Sequence, residues 1–263
     1  MFTLFQVPQF TRHKGVKSYC VHPSNSYLTA WNPSFLCTLR FSITNTLKDF
    51  QMTPDFCKTL LEEIIDNAYK LLTHKLAYGG LVARNENAFQ LELGHILKTL
   101  GQLYEFSIED KFHLEFETYI PLNSNSLKSK SDRARVDLLL QYRHKNVTTK
   151  AAIELKFFKK ENAREPNNRY DVFRDLAQLE LYRRHNIDLC YFILSTDHAH
   201  YAEKEDYSPD TADFDFRHNS IYAAGTPLRY KTLKPFGPDI KLSNNYHFKW
   251  DKIRDLFFLK VKV

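Results

Sequence analysis

Two apolar segments near the middle of the chain carry acidic residues where a buried strand should have none. Residues 135–142 place Val136, Leu138, Leu140 and Tyr142 on one face of a strand and Asp137, Leu139 and Gln141 on the other. Residues 151–158 place Ala152, Glu154, Lys156 and Phe158 on one face and Ile153, Leu155 and Phe157 on the other. Strands disfavour acids, and an unpaired buried charge is costly, so Asp137 and Glu154 need a reason. The polar stretch Arg143 to Lys150 reads as a turn between the two strands. A hairpin turning between Lys145 and Asn146 sets Asp137 opposite Glu154, with Lys156 two residues on and on the same side. Two adjacent carboxylates repel unless a cation intervenes. A hard divalent ion held by one or two carboxylates meets that need, polarises a phosphoryl oxygen and acidifies water. Lys156 would then position that water or stabilise developing negative charge. The alternative is an acid–lysine salt bridge on a solvent-facing sheet.

The flanking pattern defines the expected fold. Thr53-Pro54 should start a helix whose apolar stripe is Cys57, Leu60, Leu61, Ile64, Ala68, Leu71 and Leu72, ending at Tyr78-Gly79-Gly80. A second helix is expected from Glu86 to Leu100, stopped by Gly101, with Phe89, Leu93, Ile96, Leu97 and Leu100 inward. Phe112, Leu114 and Phe116 mark a strand before the acidic pair, and Asn123 to Arg133 a polar loop. A third helix is expected over Tyr170 to Arg184, then a fully apolar central strand, Leu189 to Leu194. Leu259, Val261 and Val263 alternate with Lys260 and Lys262, as in a lysine-protected edge strand. In the first 50 residues the clear strand candidate is 35–43. These elements predict an α/β (α+β) class: a mixed sheet flanked by helices, with 1–83 as an N-terminal extension and 84–263 as the main domain.

Exclusions follow from what is missing. The 263 residues are 43% hydrophobic and 26% charged, a globular balance. Only seven glycines occur, with no GxGxxG and no GxxxxGK[ST], against a dinucleotide fold or P-loop. GxSxG and HExxH are missing too. No apolar run is long enough to cross a membrane, and no secretory signal is evident. Cys20, Cys37, Cys57 and Cys190 form no CxxC, which suits a reduced cytoplasmic compartment. His198 and His200 lack a third ligand nearby and read as surface histidines. The net charge of +6 is concentrated in residues 111–170, where thirteen Lys/Arg face seven Asp/Glu, either as a polyanion-facing surface or as a solvated one.

Three [DE]xK triplets occur, about the two or three that chance provides. Only Glu154-Leu155-Lys156 sits in an apolar strand behind a second acidic strand. Arg135-Val136-Asp137 followed by Glu154-Leu155-Lys156, with this order of elements over 84–200, resembles the PD-(D/E)XK nuclease superfamily, with Val136 where that family has proline. The resemblance implies a restriction-endonuclease-like core and Mg²⁺-dependent (or Mn²⁺-dependent) cleavage of DNA that leaves a 5′-phosphate, in phage defence, restriction or repair. It implies metal ligation by Asp137, Glu154 and the Leu155 carbonyl, with Lys156 at the attacking water. It implies a helix glutamate as well: Glu86 matches with Phe89 and Leu93, and Glu92 is the alternative with Ile96 and Leu100. Gln178 and Tyr182 resemble the Gln-x-x-x-Tyr signature of the RecB-type branch and would face the substrate. Lys159, Lys160, Arg164 and Arg169 are candidate phosphate contacts. Cleavage of both strands would suit a homodimer. The other reading open to the sequence is a nuclease-fold DNA-binding or assembly module that does not cut.

Overall fold

The computed structural model describes residues 53–122, 133–203 and 207–263. All the elements below belong to the compact unit Gln51–Val263. The strand candidate 35–43 and most of the 123–133 loop lie outside the described residues.

Helix α1 (Pro54–Ala77) starts where Thr53 accepts a hydrogen bond from the Phe56 amide at 3.2 Å, with proline in the first turn. Such a cap is worth about 1 kcal/mol. Its buried face is Cys57, Leu60, Leu61, Ile64, Ile65, Ala68, Tyr69, Leu72 and Thr73. Leu71, expected inside, is 43% exposed, because in the last turns the buried stripe has moved round the helix to Tyr69, Leu72 and Thr73. Helix α2 (Glu86–Leu103) starts at Asn85, whose side chain accepts from the Ala88 amide at 2.8 Å. It runs through Gly101 instead of stopping there: Gly101 is buried, and an added methyl would overlap the Phe112 ring. That glycine serves close approach of helix to sheet. Leu100 is only half-buried.

The sheet follows as β1 (Asp110–Pro121), β2 (Arg133–His144) and β3 (Val147–Phe158). Helix α3 (Glu165–Arg183) begins earlier than expected, with Pro166 in its first turn. Strand β4 (Leu189–Thr196) is buried along its whole length. A small pair, β5 (Ile221–Tyr222) and β6 (Tyr246–His247), precedes β7 (Trp250–Ile253) and β8 (Leu256–Lys262).

The main sheet has six strands in the order β1-β2-β3-β4-β8-β7. Only β3 and β4 are parallel, joined through α3; the other neighbours are antiparallel. Strand β8 is therefore interior, not the expected edge; β7 takes that place. Lys260 and Lys262 do not guard an edge but pair with Asp66 (2.6 Å) and Glu62 (2.7 Å) on α1.

Two apolar layers cover the sheet. Helices α1 and α2 pack on Leu138, Leu140, Tyr142, Ile153, Leu155, Tyr191 and Ile193. Helix α3 and the aromatic-rich segment after β4 pack on Leu139, Ala152, Phe158, Cys190, Phe192 and Leu194. Each fully buried large side chain contributes about 1.5–3 kcal/mol of burial. Among the described residues no helix is long and apolar enough to cross a membrane.

Candidate active site

The β2–β3 hairpin pairs Leu138 with Ile153 and His144 with Val147, turning between Lys145 and Asn146. Lys145 adopts the left-handed conformation this tight turn needs (φ 52°). This is the register the sequence spacing predicts. Asp137 and Glu154 are the next positions along it, just past the last ladder pair.

At that point the sheet kinks. Glu117 of β1, opposite Asp137, has φ 51°. Beyond it Val136 and Ala134 join the α3 layer, whereas Leu138, Leu140 and Tyr142 belong to the α1/α2 layer. The expectation that Val136 shares a face with Leu138 therefore fails: the alternation reverses at the acid. Gln90 of α2 holds the kink, its side-chain nitrogen donating to the Asp137 carbonyl (2.7 Å) and to Glu117 (3.1 Å). Freed from regular pairing, the Asp137 carboxylate accepts from the Leu155 amide at 2.6 Å.

Lys156 is the hub. Its ammonium lies 2.8 Å from the Leu155 carbonyl, 3.1 Å from Asp175 and 3.4 Å from Glu86. Burial works against its charge, yet the fields of Asp175, Glu86, Asp137 and Glu154 outweigh it and hold Lys156 protonated well above the usual lysine range. Glu86 is set at the first position of α2 by the Asn85 cap and also accepts from the Phe157 amide at 3.2 Å. Burial pushes its carboxyl up, with Lys156 pulling the other way. Of the two helix glutamates, Glu86 is the one bonded to Lys156.

Glu154 is fully buried, its carboxylate 3.2 Å from the Tyr182 hydroxyl. Gln178, one turn before Tyr182 on α3, is also buried, as is Asp175. Tyr182 therefore backs Glu154 from inside the protein, and neither Tyr182 nor Gln178 presents surface to a substrate. Burial, then Glu154, pushes the Tyr182 hydroxyl well above the ordinary tyrosine range, so it stays a donor. Exposure rises outward: Glu154 and Asp175 are closed off, the Lys156 side chain is 15% exposed, and Glu86 43%. The cluster opens on the Glu86 side.

Asp175 was not anticipated. Its signal was its place three residues before Gln178 and seven before Tyr182, on one face of α3. Of the expected phosphate contacts, Lys160 and Arg164 are exposed and Lys159 pairs with Glu161 at 2.8 Å. Arg169 cannot serve: it is 1% exposed, bonded to the Thr211 hydroxyl, with its guanidinium over the Tyr207 ring. His198 and His200 are half-buried rather than on the surface, and His198 bonds Glu165 at 3.0 Å.

The donor set suits a hard cation. Asp137, Glu154 and the Leu155 carbonyl offer oxygen alone, and four carboxylates surround the Lys156 ammonium, an excess of negative charge. Among the described residues no three acidic, histidine or cysteine side chains converge to hold an ion by themselves. Two carboxylates with a carbonyl and water match the way Mg²⁺ is usually held. A cavity of about 710 Å³ beside Arg217, His218 and Trp250 contains none of these groups. No protein-family model, curated protein or solved structure matches the chain.

Proposed function

We propose that the chain is a metal-dependent nuclease of the PD-(D/E)XK type, with a restriction-endonuclease-like core, that hydrolyses phosphodiester bonds of DNA. The carrying observation is the β2–β3 register, which brings the Asp137 carboxylate onto the Leu155 amide beside Glu154 and Lys156. Asp137, Glu154 and the Leu155 carbonyl would hold Mg²⁺ or Mn²⁺, which when bound polarises the phosphoryl oxygen and acidifies water. Lys156 supplies a fixed ammonium against the developing negative charge and orients the attacking water. Tyr182 fixes the rotamer of Glu154, and Glu86 and Asp175 fix the ammonium. The Leu155 carbonyl already accepts from Lys156, so amine and ion compete at that oxygen. The basic 111–170 segment supports a polyanionic substrate. Restriction of foreign DNA or DNA repair is the role this reading gives the chain.

The test is incubation of plasmid and single-stranded DNA with the protein in Mg²⁺ or Mn²⁺, and with chelator. Asp137→Ala, Glu154→Ala and Lys156→Ala should each slow cleavage by about 10²–10³-fold, the scale of losing one preorganised electrostatic group. Full Mg²⁺-dependent activity in Glu154→Ala overturns the proposal. Salt-sensitive DNA binding with neither cleavage nor calorimetric metal uptake would assign a non-cutting binding module instead.

A further inference from the structure

At the carboxyl ends of the parallel strands β3 and β4 lies a pocket of about 290 Å³. Its walls include Leu81, Val82 and Phe157, and its rim carries Lys159 and the exposed carboxylate of Asp197. Ser195 also lines it, 1% exposed, and its hydroxyl has no hydrogen-bond partner among the described residues. A buried hydroxyl left in that state is destabilising, so it is a group suited to a visiting partner. The pocket adjoins the carboxylate cluster directly: the Phe157 amide is bonded to Glu86, and the residue before Phe157 is Lys156.

We propose that this pocket receives one unstacked nucleobase of the substrate strand, next to the phosphate under attack. The inference rests on the nuclease reading and adds to it a substrate preference. Its chemistry favours a base over a phosphate, because a phosphate would meet hydrocarbon walls and the Asp197 carboxylate. A base offers flat apolar faces to Leu81, Val82 and Phe157, and donors and acceptors along its edges. Those edges match Ser195, which donates and accepts, Lys159, which donates, and Asp197, which accepts. The volume is near the lower bound of small-molecule sites, about 300 Å³, and so suits one heterocycle. Extruding a base is least costly where it is already unpaired. Single-stranded, bulged or mismatched DNA is therefore the preferred substrate.

Val82 is 68% exposed, so Val82→Trp should cover the pocket without disturbing the core. The probe is a set of oligonucleotides carrying 2-aminopurine at successive positions, bound by the cleavage-deficient Lys156→Ala protein with and without Val82→Trp. At one position the fluorescence should change on binding, as stacking is exchanged for the pocket. Val82→Trp should remove that change and weaken binding about tenfold, the scale of one lost base contact. Ser195→Ala should weaken it less. An unchanged thermal melt of Val82→Trp confirms that the loss is local. No fluorescence change at any position, or a change that survives Val82→Trp, overturns the proposal. Wild-type cleavage of the same oligonucleotides tests the nuclease reading separately: cleavage without a fluorescence change sinks the pocket alone. A fluorescence change lost in Val82→Trp without any cleavage keeps the pocket and sinks the nuclease.

Discussion

Tyr182 reaches Glu154 from the interior, and its contribution is orientation, not contact with substrate. Tyr182→Phe should keep the fold yet weaken Mn²⁺ binding about 10–100-fold, as loss of a partner behind a metal ligand does. Calorimetric titration reads it; undiminished metal affinity would remove Tyr182 from the site. Another buried acid, Asp110, lies outside the cluster. Asp110 is buried, which raises its carboxyl, but bonds from His144 (2.7 Å) and Ser107 outweigh this and lower it. Because its folded pKa lies below the unfolded value of about 3.9, it stabilises the fold at pH above that value, and the contribution is lost as pH falls through the folded pKa. Asp110→Asn should therefore lower the melting temperature at neutral pH and flatten its decline below about pH 4. An equally steep acid limb in the variant would contradict this. At this scale the sequence exposed Asp137, Glu154 and Lys156, because strand alternation and a hairpin centre are arithmetic on positions. Asp175 was hidden, since nothing local shows which turn of an amphipathic helix faces a lysine on another element.

The start of α2 matters to the site because one cap sets both. Asn85→Ala should cost about 1 kcal/mol of stability and, by loosening the first turn that carries Glu86, also slow cleavage. A stability loss with unchanged cleavage would separate Glu86 from the site. Gly94 and Gly101 let the same helix lie close on β1. Added methyls would strike Phe116 and Phe112 respectively. Phe116 is 43% exposed and can swing away, whereas Phe112 is packed against the α1/α2 layer. Gly101→Ala should therefore destabilise by about 1–3 kcal/mol and Gly94→Ala by less, measured by denaturant unfolding. Element identities were readable from periodicity, but two meanings were not. A glycine that permits close approach has the same letter as one that stops a helix. A lysine-alternating strand looks like an edge until α1 supplies Asp66 and Glu62 as partners.

The two apolar layers share one sheet, so they should fail together. Leu155→Ala in one layer and Phe173→Ala in the other should each cost about 2–5 kcal/mol and shift a single transition seen alike by far- and near-ultraviolet circular dichroism. Two separated transitions would mean that the layers are independent. Sheet order was beyond the sequence because it depends on which distant segment covers β4, and alternation does not record a strand's neighbours. That order has a bearing on biogenesis. In the six-stranded sheet the flank of β4 opposite β3 is closed by β8, which the ribosome delivers well after β4 itself. Until then a nascent chain carries its most apolar strand with one side bare, open to chaperones or to a neighbouring polypeptide. The wall that steadies the lysine-bearing strand is thus completed late, and the cluster around Lys156 is held firmly only when translation of this stretch is nearly done.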